Sequence, residues 1–179
     1  MGRVCAQCKV NLTNSKFSRN QMLMGEGVSR CKTCVSPNYN CLILAFDGAS
    51  RYNPKGPAGC GFVVYNGING TRLSVGKKHL GMNVSNNQAE YKGLLHGLIH
   101  VRDTYSFNKL IVRGDSEIVI KQMLGQYAVR SPNISGLYNT TNSIYLDVAR
   151  KAVVEFQRVD RSRNTVADRL ANDAIDHRY

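Results

Sequence analysis

The chain has 179 residues, 42% of them apolar and 20% charged, which suits one ordinary globular domain, or a domain of about 140 residues beside a small module. Lysine and arginine outnumber aspartate and glutamate by 24 to 12, and a net charge of +12 implies a polyanionic partner, most simply nucleic acid, or an anionic membrane surface. No apolar run approaches the ~20 residues of a membrane helix, and residues 1–12 carry two cysteines and no hydrophobic stretch, so neither a spanning segment nor a signal peptide is expected. Two Cys-x-x-Cys pairs come first in chain order, Cys5/Cys8 and Cys31/Cys34, 22 residues apart. Each turn aims two thiolates at one point, and two turns complete a tetrahedral shell for one structural Zn²⁺ at roughly 2.3 Å per bond. Redox chemistry needs only one such pair, and chance pairing is the remaining reading. Residues 1–36 hold too little apolar bulk to fold by burial alone, so metal binding would supply the folding energy. Six basic residues (Arg3, Lys9, Lys16, Arg19, Arg30, Lys32) against Glu26 favour nucleic acid over protein as the module's partner. Residues 37–40, Pro-Asn-Tyr-Asn, read as a linker.

Residues 41–179 read as an α/β domain. Strands are expected at 42–46, 59–65 and 72–79, close enough together for an antiparallel meander. A helix follows over 87–105, with Leu94, Leu95, Leu98, Ile99 and Val101 near the 3.6-residue period and Ser85 or Asn86 as N-cap. A strand at 110–113, helices at 116–124 and 134–150, a strand at 153–159 and a helix at 166–176 complete the order βββαβααβα. That order implies a mixed five-stranded sheet flanked by helices. Cys41 and Cys60 sit in apolar or glycine-rich surroundings and read as small buried hydrophobes, which with the unpaired thiols points to a reducing intracellular compartment, cytoplasm or nucleus.

Four acids fall at element ends: Asp47 and Asp115 after strands, Glu90 and Asp168 at helix starts. Singly, each is a cap or a surface charge. Together at one sheet edge they cannot all stay charged and unpaired, and hard divalent cations would relieve them. Two Mg²⁺ ions roughly 4 Å apart could clamp a phosphodiester.

The segments Phe46-Asp47-Gly48-Ala49, Asn86-Asn87-Gln88-Ala89-Glu90, Gly114-Asp115-Ser116 and Asn164-Thr165-Val166-Ala167-Asp168-Arg169-Leu170-Ala171-Asn172 resemble ribonuclease H in order and spacing, from Leu42 to about Ile175. The resemblance implies a two-metal endonuclease that cuts the RNA strand of RNA–DNA hybrids and leaves 5′-phosphate and 3′-hydroxyl ends. Asp47, Glu90, Asp115 and Asp168 would hold Mg²⁺, or Mn²⁺. Asn53, Asn86, Asn87 and Gln88 would face the hybrid's minor groove, where amides can donate to and accept from the RNA 2′-hydroxyl. Two departures stand out. The loop before the last helix, Asp160-Arg161-Ser162-Arg163-Asn164, lacks the histidine many members carry, and Arg161 or Arg163 would bind phosphate there without shuttling a proton. The basic protrusion of bacterial members is also missing, since residues 122–135 hold only Arg130.

His96 and His100 stand i, i+4 on one helix, spacing that suits a metal pair but more often marks partly buried helix positions; His79 and His177 are isolated. Lys77-Lys78 reads as a solvated strand end, with phosphate contact as its alternative. The expected molecule is a monomeric hybrid-directed nuclease. The alternatives are a related nuclease for other duplexes, a catalytically silent hybrid- or RNA-binding module, or one part of a larger reverse-transcription assembly. A protein partner for the zinc module is the competing reading of residues 1–36.

Overall fold

The structure is a computed structural model and describes residues 2–6, 9–25, 27–31 and 38–176. The described residues form two compact units with the boundary between Asn38 and Tyr39, residues 104–106 grouping with the first.

In the first unit, β1 (Gly2–Val4) and β2 (Asn11–Thr13) pair antiparallel, with Arg3 opposite Leu12. Helix α1 (Arg19–Leu23) follows, its start capped by Ser18, whose hydroxyl accepts from the Gln21 amide at 3.3 Å. The core is small: Cys5, Phe17 and Cys31 are buried, with Leu12 and Met22 packed against them. Arg3 reaches across to the Met22 carbonyl at 2.9 Å. Cys8 and Cys34, the other two expected zinc ligands, lie outside the described residues, as does His177.

The second unit is built on one sheet. Its strands are β3 (Asn38–Ser50), β4 (Pro57–Asn66), β5 (Arg72–Met82), β6 (Ser106–Gly114) and β7 (Val153–Arg158), in spatial order β5-β4-β3-β6-β7. β3, β4 and β5 form the antiparallel meander, while β6 and β7 are parallel, so the sheet is mixed. The helices are α2 (Asn86–Thr104), α3 (Glu117–Met123), α4 (Pro132–Ala149) and α5 (Thr165–Asp176). The observed order is the expected βββαβααβα.

Alternation on β3 and β4 sends side chains to both faces. Phe46, Leu44 and Leu42 are fully buried on one side, and Ala45 and Val63 pack with Ala167 of α5 on the other. Two expectations need correcting. Asn38–Asn40 is strand, not linker: β3 begins there, and Asn40 meets Asn108 of β6 side chain to side chain at 3.4 Å. Strand β6 likewise starts at Ser106, because its first half alternates exposed and half-buried residues and lacks the apolar run that marks 110–113. Cys60 is buried as expected and burial pushes its thiol up to about 12, whereas Cys41 is only half-buried. No described helix is long and apolar enough to cross a membrane.

Candidate active site

Strand β3 delivers Asp47, opposite Gly61 of β4, at the point where α2 crosses. A Cβ on Gly48 would collide with the backbone of Ala89 and Glu90, and one on Gly93 with the Asp47 carbonyl. Two glycines thus let helix and strand touch backbone to backbone, and this contact sets Glu90 beside Asp47. The start of α2 is fixed by a reciprocal cap. The Gln88 amide donates to Ser85 Oγ at 3.3 Å, and the Ser85 amide donates to Gln88 Oε1 at 2.9 Å. Asp115 follows β6, the neighbour of β3, just before Ser116, whose hydroxyl caps α3.

Carboxylate oxygens of Asp47, Glu90 and Asp115 lie within 4.8 Å of one another. Asp47 is 4% exposed, and one oxygen of Glu90, Oε2, is buried with no hydrogen-bond partner. Burial, then the charge of Asp115, lifts the Asp47 carboxyl from near 4 to about 7. Burial, then the charges of Asp47 and Asp115, holds Glu90 well above the usual carboxylate range. The Gly48 amide donates to Asp47 Oδ1 at 2.9 Å and works the other way, favouring the charged form. Without a cation, the cluster therefore keeps protons that ordinary carboxyls would release.

Asp168, in the first turn of α5, lines the same cleft of about 280 Å³ but stands outside the tight trio. Its Oδ1 takes the Arg161 guanidinium at 2.6 Å. Arg161 thus sits at the cleft, while Arg163 lines a separate cavity with Tyr65 and Arg113. Both belong to one 3₁₀ turn (Arg161–Arg163), where residues two apart point in different directions.

The amides expected at the minor groove cluster at the start of α2. Asn86 Oδ1 accepts from the Ser50 amide at 2.9 Å, and Asn53 Oδ1 accepts from the Asn86 amide at 3.0 Å. Asn87 is exposed. Gln88 is engaged at both ends, its Nε2 donating to the Asn133 carbonyl at 3.4 Å. His96 and His100 join no metal-ligand group among the described residues, and His100 Nε2 instead meets Ser74 Oγ at 2.9 Å.

One residue was missed as part of the site. Asn164 is 2% exposed, and its Nδ2 donates to Asp115 Oδ1 at 2.7 Å and to the Phe46 carbonyl at 2.9 Å. It ties Asp115 to the strand that carries Asp47. The sequence signal was its place at the head of the segment 164–172, directly ahead of the helix that bears Asp168, where an asparagine reads equally as an ordinary cap.

Residues 45–174 match the family model described as reverse transcriptase-like. A bifunctional protein of Mycobacterium tuberculosis is 38% identical over 135 residues, covering 75% of this chain and 35% of that protein, so the chain spans about a third of its length. The solved N-terminal RNase H domain of a mycobacterial protein is 36% identical, with a TM-score of 0.69 over 76% of this chain and 94% of that one. RNase H1 of Halobacterium salinarum is 33% identical, with a TM-score of 0.69 over 76% of this chain and 98% of that one. LC11-RNase H1, isolated from compost and solved in complex with an RNA/DNA hybrid, is 32% identical, with a TM-score of 0.69 over 75% and 96%. On the family match and the coverage of these solved domains, the chain belongs to the ribonuclease H-like family.

Proposed function

We propose that the chain is a metal-dependent endonuclease that hydrolyses the RNA strand of RNA–DNA hybrids. The observation that carries this reading is the trio of buried Asp47 and half-buried Glu90 and Asp115, gathered within 4.8 Å on a chain of net charge +12. A module that only bound a polyanion would gain nothing from carboxylates at its centre. The residues present fit hard divalent cations, because every donor is an oxygen and the unpartnered Glu90 Oε2 lacks the partner that a cation would be. Asp47, Glu90, Asp115 and Asp168 would hold two Mg²⁺, or Mn²⁺. When bound, these ions supply Lewis acidity toward the scissile phosphodiester and the attacking water.

The chain's own residues do the rest. Asp47 and Glu90 must release their protons to serve as ligands. Asn164 keeps Asp115 turned toward them. Arg161, at the cleft mouth, offers a guanidinium to a backbone phosphate when it leaves Asp168. Water displaces the 3′-oxygen at phosphorus, leaving 5′-phosphate and 3′-hydroxyl ends. Asn53, Asn86, Asn87 and Gln88 form the edge we assign to the minor groove. The carbonyls of Asn53 and Asn86 are taken by backbone amides, so their NH₂ groups are the ones directed to a 2′-hydroxyl oxygen.

Cys5, Cys8, Cys31 and Cys34 are assigned to one structural Zn²⁺. Support comes from the Cys31 amide, which donates to Cys5 Sγ at 3.2 Å and so favours a thiolate there. The basic module would add affinity for the hybrid backbone. A protein partner is the second reading for this unit, favoured by the exposed apolar side chains of Leu23, Met24 and Val28.

The test is cleavage of end-labelled hybrid, double-stranded RNA and double-stranded DNA, each with Mg²⁺ and with EDTA. Only the hybrid with Mg²⁺ should be cut. Asp47→Asn should lower the rate at least ~10³-fold, about 4 kcal/mol of lost transition-state stabilisation. Activity of that variant within a few-fold of wild type would sink the assignment.

A further inference from the structure

On the face of the sheet that packs α5, beside the acid cleft but sharing no lining residue with it, lies a cavity of about 80 Å³ lined by Ile43, Tyr65, Arg113, Arg163, Asn164 and Thr165, among others. No carboxylate lines it. Arg113 is half-buried and steered by Gln157 of β7, whose Oε1 accepts from Arg113 Nε at 3.2 Å. Neither Arg113 nor Arg163 takes part in an ion pair among the described residues. Arg161, two residues from Arg163, is neutralised by Asp168.

Two arginines line one small space, and no acid among the lining offsets their like charges. Of the remaining lining, Ile43, Ala45, Val63, Val166 and Ala167 are apolar, while Thr165 and Tyr65 add to the demand for an anion. Thr165 is the first residue of the twelve-residue α5, so first-turn amides and the positive end of the helix border the cavity. Tyr65 brings a phenol, which burial keeps protonated against the opposing pull of Arg72, so it is a donor at neutral pH. Guanidinium forks bind the oxygens of phosphate and carboxylate bidentately, and on a chain of net charge +12, proposed to act on nucleic acid, phosphate is the oxyanion at hand.

We infer that Arg113 and Arg163 form a phosphoryl-binding subsite on the α5 face of the sheet, separate from the metal-ligating acids. Its ligand is a phosphate group, from a nucleic-acid backbone phosphate flanking the cleft or from free inorganic phosphate. The subsite lies next to Asn164, whose side chain anchors Asp115, and so borders the active site without belonging to it.

The experiment uses the full chain with EDTA, in a low-salt buffer free of phosphate. In its first arm, inorganic phosphate is titrated by calorimetry. Arg163→Gln and Arg113→Gln should each weaken binding at least 10-fold. Arg163→Lys should recover only part of it, and Arg130→Gln should have no effect. Circular dichroism melts identify any variant that has lost its fold, and the exposed Arg163 series carries the test if Arg113→Gln does. In the second arm, binding of uncleaved hybrid is followed against salt. If the ligand is a backbone phosphate, Arg163→Gln lowers the salt slope by about one and inorganic phosphate competes with hybrid. If the ligand is free phosphate, the first arm shows the loss while the salt slope stays the same. A salt slope unaltered by Arg163→Gln, together with phosphate binding that is absent from the wild-type chain or unaltered by both glutamine substitutions, overturns the subsite. Neither arm reads cleavage, so its failure is distinct from failure of the proposed nuclease activity.

Discussion

Asp47 stores a conflict that a cation would resolve. Its folded carboxyl is lifted to about 7, whereas an unfolded aspartate titrates near 3.9. Between those values the native state holds a proton that the unfolded chain has released, so this group's contribution to stability is full below about pH 4 and is lost as pH rises toward 7. In EDTA, the melting temperature of the wild-type chain should therefore fall more between pH 5 and pH 7.5 than that of Asp47→Asn, which cannot ionise. The neutral-pH melting temperature of Asp47→Asn should exceed that of wild type. Mg²⁺ should raise the wild-type value at pH 7.5 and far less at pH 5, where protons hold the site. Parallel pH profiles for the two proteins would show that Asp47 is not under this strain. Asn164 acts one step further out. Because it orients Asp115 and does not belong to the acid cluster, Asn164→Ala should cost about 10–100-fold in Mg²⁺ affinity or rate, less than loss of an acid. A Mg²⁺ titration of the cleavage rate distinguishes the two: weakened metal affinity marks a positioning role, and an unchanged titration curve excludes it. At this scale the sequence was most legible for the acids, because four carboxyls at element ends form a recognisable pattern. Asn164 was not legible, since a capping asparagine and a ligand-orienting one look alike until the partner strand is placed. The two arginines of the 160–164 loop also looked alike, and only the turn's geometry sends Arg161 to the cleft and Arg163 elsewhere.

The contact between β3 and α2 is where the site depends on whole elements. Glu90 reaches Asp47 because the helix lies against the strand with glycine at both Gly48 and Gly93. Gly48→Ala would place a methyl group into the backbone of Ala89 and Glu90, which cannot yield as a side-chain tip can. Overpacking of this kind costs about 1–3 kcal/mol, and a displacement of about 1 Å at reacting groups costs on the order of 10²-fold in rate. The variant should melt lower and, where still folded, cut hybrid on the order of 100-fold more slowly. A folded Gly48→Ala protein with wild-type rate would mean that the close approach does not set the acid geometry. The order and type of elements in this unit were readable because buried strands and amphipathic helices have different periods. Their ends were less readable. Strand β3 runs four residues ahead of its apolar stretch through Asn38, Tyr39, Asn40 and Cys41, and β6 opens on Ser106. Asn40 and Ser106 are exposed, and a polar side chain that faces water carries no periodic signal whether or not its backbone is paired. The glycines at the helix–strand contact were equally silent, since only the partner backbone shows why a side chain cannot fit.

For the molecule as a whole, the division of labour between the two units is the open functional question, and charge gives a way to measure it. Residues 1–36 carry six basic side chains and one acid, and the rest of the chain 18 basic and 11 acidic. The second unit holds the complete sheet and all four acids assigned to Mg²⁺. The Halobacterium salinarum RNase H1 is matched over 98% of its solved chain by only 76% of this one, so a domain of this fold stands without such a module. Deleting residues 1–36 should therefore leave a folded protein that still cuts hybrid, with kcat at saturating substrate little changed, because the deleted groups supply binding and not the acid cluster. Hybrid affinity should fall, and the slope of log affinity against log salt should become shallower by about 0.9 for each phosphate the module neutralises. Cys31→Ser should reproduce the deletion. It removes a buried member of the small Cys5, Phe17, Cys31 core and one of the four thiolates assigned to Zn²⁺, and a unit with so little apolar bulk has no other source of folding energy. One Zn²⁺ per chain in the wild type and none in Cys31→Ser, measured by atomic absorption, ties the affinity change to the metal. If the truncated chain binds hybrid with the same affinity and salt slope as the full one, the module does not touch nucleic acid, and its exposed Leu23, Met24 and Val28 make a protein partner the better assignment.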